Sequence, residues 1–593
     1  MSVLETPRIL FKGEIAWDPI VTNNYREFYD EGTADPVFPD AVDRVKAFRQ
    51  EAIGAVVARN WNPHGTHRSV FYDSSISGVD LGAGVTTNDP FVTSAANFTG
   101  MLVDLEPYGT LSSQIFFDTI RFGIDGGYRI LGKRRTRFTA RYINFGRNPS
   151  NSIKAGVASV IWQTTFAKAE GLRIDAFDSP ALLALQAALA DDDVLGLTVR
   201  FNTYRTMYYD NIALSNGSQL LKDEGTALTA KLNGGGFQPN PARSMMIGVI
   251  GLWRKGEPEH EPGDRAILPV DPTSPVGGAY ARLAGNTLTL DLGNSIPEAD
   301  RVLTKTDLGP LNIAVAGATG TTNLGTLIYA QYNRGAYEAS SGIVTVPLTP
   351  QQAQAASSGD LQLQDSQGNV LIAEVGLRAL PAVPNLYLDE GTSTTAVFQV
   401  YNRGLPAKGP LPVTVYRMSA DGNTIENSIA LNTDAYGVLT LPLAATTGGI
   451  YAYVAEAVPG MPPPTGGINP QLNTYMYFRT LPANAQIGQM TPSWENVYVN
   501  VLANWNAMAP CMDNWLMLDD PVQVKRFAPT LRRLVDPANF ESFLFMPVTR
   551  DMTLGERTLL LRFLDTPGEG KAAKLAAPPA AIDFVQLNRS MRD

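Results

Sequence analysis

Cysteine and histidine are almost missing from this chain. Among 593 residues, Cys511 is the one cysteine, and His64, His67 and His260 are the three histidines. A single thiol excludes an internal disulfide framework and any Cys-rich zinc or iron–sulfur site. Three imidazoles exclude a His-rich metal centre and leave few general bases, so no metal and no cofactor is expected. Positive charge is short as well: 47 Lys and Arg stand against 57 Asp and Glu, a formal net charge of -10. That balance argues against a nucleic-acid partner, which needs clustered cations to displace counterions from phosphates. The first residues, 1–17, break their apolar content with Glu5, Arg8 and Lys12 and do not form a secretory signal. The uncharged window from Ala435 to Ala455 holds Pro442, Gly448 and Gly449 and alternates like two strands, so no membrane span is expected. A cytoplasmic protein is the resulting expectation.

What the chain does hold is a folding composition, with 44% hydrophobic and 18% charged residues. At roughly 150 residues per domain the length implies about four compact units. Short β-like stretches separated by Gly, Asn, Pro and Ser dominate, for example Val199 with Phe201, Leu288 to Leu292, and Val344 with Val346. The fold class expected is mainly β, a multi-domain β-sandwich protein with a few short helices and an α-helical C-terminal appendage. The organisation expected is an N-terminal β domain with two helices (1–262), a second β domain (263–380), an immunoglobulin-like sandwich (381–480), a helical segment (481–565) and an extended tail (566–593). Helices are predicted over Pro39 to Val56 and after the Ser179-Pro180 cap, where Leu182, Leu185 and Leu189 share a face. In the C-terminal segment, helices are predicted over Trp494 to Met508, Pro521 to Val535 and Thr553 to Leu564, the last opened by a Thr553–Glu556 capping box.

Candidate chemistry is sparse. Asp191, Asp192 and Asp193 form the densest acidic cluster; a metal or active role competes with a locally hydrogen-bonded turn at a helix C-terminus, where the macrodipole disfavours negative charge. His64 and His67 have a spacing that could bring two imidazoles to one ligand, against the reading of a loop pair used structurally. These five are the first candidates if the chain is an enzyme. His260 lies in the Pro-broken acidic run Glu257 to Pro262, and the neighbouring carboxylates should favour its protonated form at the surface. Cys511, between Pro510 and Met512, reads as a buried small hydrophobe rather than a reactive thiol. The basic run Lys133, Arg134, Arg135 and Arg137 reads as a solvated strand or loop face. The segment Val315 to Gly325 imitates a dinucleotide turn, but Asn323 stands where the third glycine belongs, so it reads as a turn between strands, with a further strand over Thr326 to Ala330.

Several blocks occur in one order: Pro7-Arg8-Ile9 with Phe11 and Gly13, Leu185 to Leu189 followed by Asp191 to Val199, Ile247 to Glu257, Ser341 to Val344, Asn385 to Leu388, Phe545-Met546-Pro547 with Thr549 to Met552, and Leu560 to Leu564. Together they resemble the violacein-pathway imine dimer synthases, which couple oxidised tryptophan units, and the related chromopyrrolate synthases. The resemblance is to the N-terminal β half of that family. It implies that activity resides in a ferritin-like helical half with Glu and His iron ligands, a bundle site that is not expected here because no histidine follows His260. The leading expectation is therefore a non-catalytic scaffold or accessory subunit that acts with a separate protein, a ferritin-like subunit, or by self-association. A stand-alone enzyme on a small molecule at a cleft between β domains, and a glycan- or surface-binding protein, are the alternatives.

Overall fold

In the computed structural model the described residues are 2–17, 29–30, 35–36, 67–106, 111–144, 159–207, 242–271, 274, 276–300, 303–318, 320–508 and 516–566. The helix predicted over Pro39 to Val56, together with His64, Cys511 and the tail beyond Thr566, lies outside them.

Eight of the eleven strands in the first unit's sheet form its closed frame: β1 (Arg8–Trp17), β2 (Arg68–Asp80), β3 (Ala96–Asp104), β4 (Ser113–Gly123), β5 (Phe138–Asn144), β6 (Ser159–Ala167), β7 (Val194–Met207) and β8 (Ala242–Arg254). Each pairs with the next in chain order, and β1 pairs with β8 from Ile9↔Ile250 to Trp17↔Ala242. The sheet therefore closes on itself as an up-and-down barrel rather than a sandwich, which removes the open edges an eight-stranded sheet would carry. Alternation along the strands sends Phe11, Phe71, Phe98, Phe117, Phe138, Phe166, Phe201 and Trp162 into one core. Ring pairs such as Phe71–Phe201, 5.4 Å apart and perpendicular, fill it edge to face. Burying each such ring stabilises the fold by about 1.5–3 kcal/mol.

Helix α1 (Pro180–Leu189) adds Leu182 and Leu185 to the same core. The Ser179 hydroxyl accepts from the Leu182 amide, and Asp89 accepts from both the Ser179 hydroxyl and the Ala181 amide, so a carboxylate sits at the positive helix end. Gly196 follows on β7, opposite Ala167 of β6. A Cβ there would lie 1.9 Å from the Phe166 carbonyl oxygen. Gly196→Ala is accordingly expected to cost about 1–3 kcal/mol by forcing two strands apart, read as a lower urea midpoint; an unchanged midpoint would show that the strands can separate freely.

The second unit is one antiparallel sheet of β9 (Arg265–Pro269), β10 (Ala279–Ala284), β11 (Thr287–Asp291), β12 (Leu311–Gly317), β13 (Gly320–Leu327), β14 (Ile343–Pro347), β15 (Asp360–Gln364) and β16 (Val370–Val375), in the order β13-β12-β15-β16-β9-β10-β11-β14. The dinucleotide-like glycines are the β12–β13 hairpin, with Gly317 opposite Gly320. The strand expected beyond it stops at Leu327, and a short helix, Tyr329–Tyr332, follows.

The third unit is a two-sheet sandwich. β17 (Leu377–Pro381) and β22 (Val438–Ala444) flank β19 (Ser393–Asn402) in one sheet; β18 (Asn385–Asp389), β24 (Tyr475–Leu481), β23 (Gly449–Glu456), β20 (Pro412–Met418) and β21 (Ile425–Asn432) form the other. Phe398 and Leu439 of the first pack with Val413 and Phe478 of the second. The uncharged window from Ala435 is β22 and β23, and no helix among the described residues is long and apolar enough to cross a membrane.

Helices complete the described chain. Trp494–Val497, capped by Ser493, continues through a π-helical stretch, Tyr498–Leu502, into Ala503–Met508. The helix expected over Pro521 to Val535 breaks at Phe527 into Pro521–Arg526 and Ala528–Leu534. Leu554–Asp565 starts with the predicted Thr553–Glu556 capping box. Val497, Val501, Trp505, Leu531, Leu559 and Phe563 share their core.

Candidate functional site

The charged residues that matter most lie where the units meet. On β5 to β7 the residues facing away from the barrel core include Thr139, Arg141, Gln163, Thr165 and Arg200, and all are buried. The segment from Gly256 to Asp264 covers them. The Gln163 amide donates to the carbonyls of Pro258, Glu259 and Glu261, at 3.1, 3.3 and 3.0 Å, while its oxygen accepts from Arg200 Nε at 3.0 Å. Thr165 donates to Glu259, and Tyr401 of β19 donates to the Gly256 carbonyl. Arg378 of β17 donates to the carbonyls of Pro262 and Asp264. Much of the polar strand face is thus hydrogen-bonded by a buried acidic linker.

Arg200 is the centre of this junction. Its guanidinium donates to Asp264 at 2.7 Å and to Asp291, at the end of β11, at 3.1 Å. Burial works against the Asp264 carboxylate, yet Arg200 helps to hold it down to about 2; burial prevails at Asp291 and pushes it up. Further along, Arg137 donates to Glu541 at 2.5 Å and to the Asn385 carbonyl, joining barrel, sandwich and helical segment. Arg550 lies 3.5 Å above the Phe116 ring and donates to the carbonyls of Phe540, Ser542 and Val548; burial lowers it to about 9.

Two sequence expectations are corrected here. Arg137 is not solvated but 5% exposed, because the sandwich and the Glu541 loop cover it. His260 is not a protonated surface residue. It is 3% exposed, within hydrogen-bonding distance of Thr139 and Thr136 at 3.1 and 3.3 Å, and burial, with Arg137 and Arg141 nearby, lowers it to about 3. The sequence shows its acidic neighbours; the fold turns it toward two arginines instead.

The other candidates fall into separate places. Asp191, Asp192 and Asp193 form the exposed turn between α1 and β7. Asp191 accepts from the Asp193 amide at 2.9 Å, and both carboxylates approach Arg254 of β8, at 3.6 and 3.4 Å. The Asp193 amide, together with Arg254, holds Asp191 below the usual carboxylate range. Lys168 closes the helix end by donating to the Leu189 and Asp191 carbonyls. His67 instead precedes β2, with its Nδ1 3.0 Å from the Leu102 carbonyl of β3. Burial lowers it to about 4, and Arg550 and Asp551 act on it electrostatically. Asp551 accepts from Thr549 at 2.5 Å and from Trp505 at 3.4 Å. Through Val70↔Ala16 and Ala16↔Arg243, His67 belongs to the end of the barrel where β8 begins; the acidic turn abuts the end where β8 stops. For a strand of 13 residues that is roughly 40 Å at about 3.4 Å per residue. The structure therefore does not bring His67 and the aspartates together. Among the described residues, no group of three or more His, Cys, Asp or Glu is arranged to hold a metal ion.

Sequence reasoning missed Arg141, Arg200, Glu261 and Asp264. A usable signal existed in Ser159, Gln163, Thr165 and Thr139: strand positions that are polar but carry no Lys or Glu suit a covered face better than a solvated one.

No family model matches the chain. It is 26% identical over 424 residues to the 2-imino-3-(indol-3-yl)propanoate dimerase of Chromobacterium violaceum, a match spanning 68% of this chain and 37% of that protein. This supports a relation to the violacein-pathway imine dimerases, although the chain covers well under half of that relative. Among solved structures, the D0-D1 domain of intimin (14% identity, 33% of this chain and 92% of that one) and the two tandem V-type regions of VCBP3, a v-region-containing chitin binding protein (12%, 34% and 98%), both align with a TM-score of 0.14. Likeness at that level carries no fold or function.

Proposed function

We propose that this chain is a non-catalytic β-rich scaffold or accessory subunit, comparable to the N-terminal half of the imine dimer synthases, and that it acts in the cytoplasm with a separate ferritin-like protein. One observation carries the reading: the described charged candidates serve internal contacts. His260 and Arg200 anchor the linker, Asp191 and Asp193 close on Arg254, and the ring nitrogen Nδ1 of His67 meets a backbone carbonyl. The sequence relation to an imine dimerase, over 37% of that protein's length, supports it further. Fixed barrel, sheet and sandwich units provide surfaces for a partner at little ordering cost. Affinity purification of the tagged chain from its native cells tests this. A helical, iron-containing polypeptide is expected to co-elute at near-equal stoichiometry and to carry the turnover. A chain that elutes alone and turns over a small molecule by itself would overturn it.

A further inference from the structure

Arg141, on β5, is 2% exposed, yet none of its three guanidinium nitrogens makes a hydrogen bond of ordinary geometry, the Tyr475 hydroxyl being a looser polar contact. Its neighbours differ. Arg200, Arg378, Arg137 and Arg550 each donate to carboxylates or carbonyls within the same junction. The nearest carboxylate to Arg141 is Glu261, and the approach is by Nε at 3.8 Å, beyond hydrogen-bonding distance. The Nη1 and Nη2 edge, the fork that binds planar oxyanions bidentately, is left over. The Tyr475 ring lies 4.6 Å from the guanidinium and walls one side. Register explains how the residue reaches this place. Between Ser159↔Asn144 and Ile161↔Arg141 the β5–β6 ladder shifts, and Tyr142 takes a φ of 51°. This bulge sends both Arg141 and Tyr142 toward the linker, where Tyr142 donates to Glu261 at 3.0 Å. The charges acting on adjacent His260 are Arg137 and Arg141, and the carboxylate facing Arg141 is Glu261.

A buried fork of donors without an acceptor at hydrogen-bonding distance is a receptor for negative charge. We propose that Arg141 binds a small oxyanion, a carboxylate or a phosphate, enclosed where β5, the Gly256 to Asp264 linker and β24 meet. The bound anion would complete the junction and tie barrel to sandwich.

The purified full chain tests this without any partner, so its result is independent of the scaffold reading. After exhaustive dialysis into Tris-chloride, acid extraction and ion chromatography are expected to yield about one oxyanion per chain. Alternatively, titration with sodium acetate or inorganic phosphate at constant ionic strength should raise the melting midpoint by about 2 °C or more at saturation. Which probe acts distinguishes carboxylate from phosphate. Arg141→Gln should abolish the retained anion or the shift, and Arg254→Gln, at the exposed acidic turn, should leave it. Should Arg141→Gln fail to fold, Arg141→Lys keeps the charge but loses the fork, and should weaken the response at least several-fold. An extract free of anion together with a midpoint that neither probe moves would overturn the proposal, as would a full response in Arg141→Lys.

Discussion

Arg200→Ala is expected to lower the unfolding free energy by about 3–5 kcal/mol, the usual consequence of stranding buried charge. Arg200 is 1% exposed and links Gln163 on the barrel to Asp264 on the linker and Asp291 on the second sheet. Truncation deprives two buried carboxylates and an amide oxygen of the Arg200 donor, leaving Asp291 with the Gly293 amide. The loss comes from the abandoned partners and is not the net value of the pairs. Replacing Arg200 by Met together with Asp264→Asn and Asp291→Asn should therefore recover much of the stability, since no charge is then stranded. Urea midpoints followed by tryptophan fluorescence give both numbers. A loss below about 1 kcal/mol for the single variant, the range of exposed ion pairs, would show that the junction admits water.

Acid should loosen the same junction before most carboxylates titrate. An unfolded histidine has a pKa near 6.5, whereas His260 in the fold is lowered to about 3. The folded value lies below the unfolded one, so the stabilisation is fully present above pH 6.5. It is lost as the pH falls, because the unfolded chain accepts a proton that the folded chain refuses. The slope is about 1.4 kcal/mol per pH unit for one histidine, so roughly 2–3 kcal/mol is lost between pH 6.5 and 4.5. His67, lowered to about 4, acts in the same direction; being only partly buried, it contributes a smaller share. His260→Gln should be less stable at pH 7.5, because it repacks against Thr136 and Thr139, yet its urea midpoint should vary less between pH 6.5 and 4.5. An equally steep decline in that variant would remove His260 from the acid response.

Local features were legible in the sequence, and long-range ones were not. The Ser179 cap, the Thr553–Glu556 capping box and the β12–β13 turn each depend on residues within four or so positions, and the side chains announce them. Barrel closure depends on β1 pairing with a strand more than 200 residues later, for which alternation alone gives no register. Burial of charge follows from closure and is equally non-local. Glu257 to Pro262 has the composition of a solvated loop, and only the covered face of β5 to β7 makes it an interior element. For that reason the local pattern places His260 and Arg137 at the surface, while Asp191 and Asp193 meet a neighbouring amide and one strand-end arginine in a hydrogen-bonded turn.

The scaffold account stands or falls on what the candidate residues do in an assembled pair. The most direct measurement compares turnover by the chain and its co-purified partner, mixed at equal concentration, for the wild type and for a folded variant carrying His67→Gln, Asp191→Asn, Asp192→Asn and Asp193→Asn. The account predicts that the variant binds the partner and supports turnover within about twofold of wild type, a difference of roughly 0.4 kcal/mol in barrier. A variant that binds as tightly but loses turnover by a hundredfold or more would place the chemistry on this chain and contradict the account.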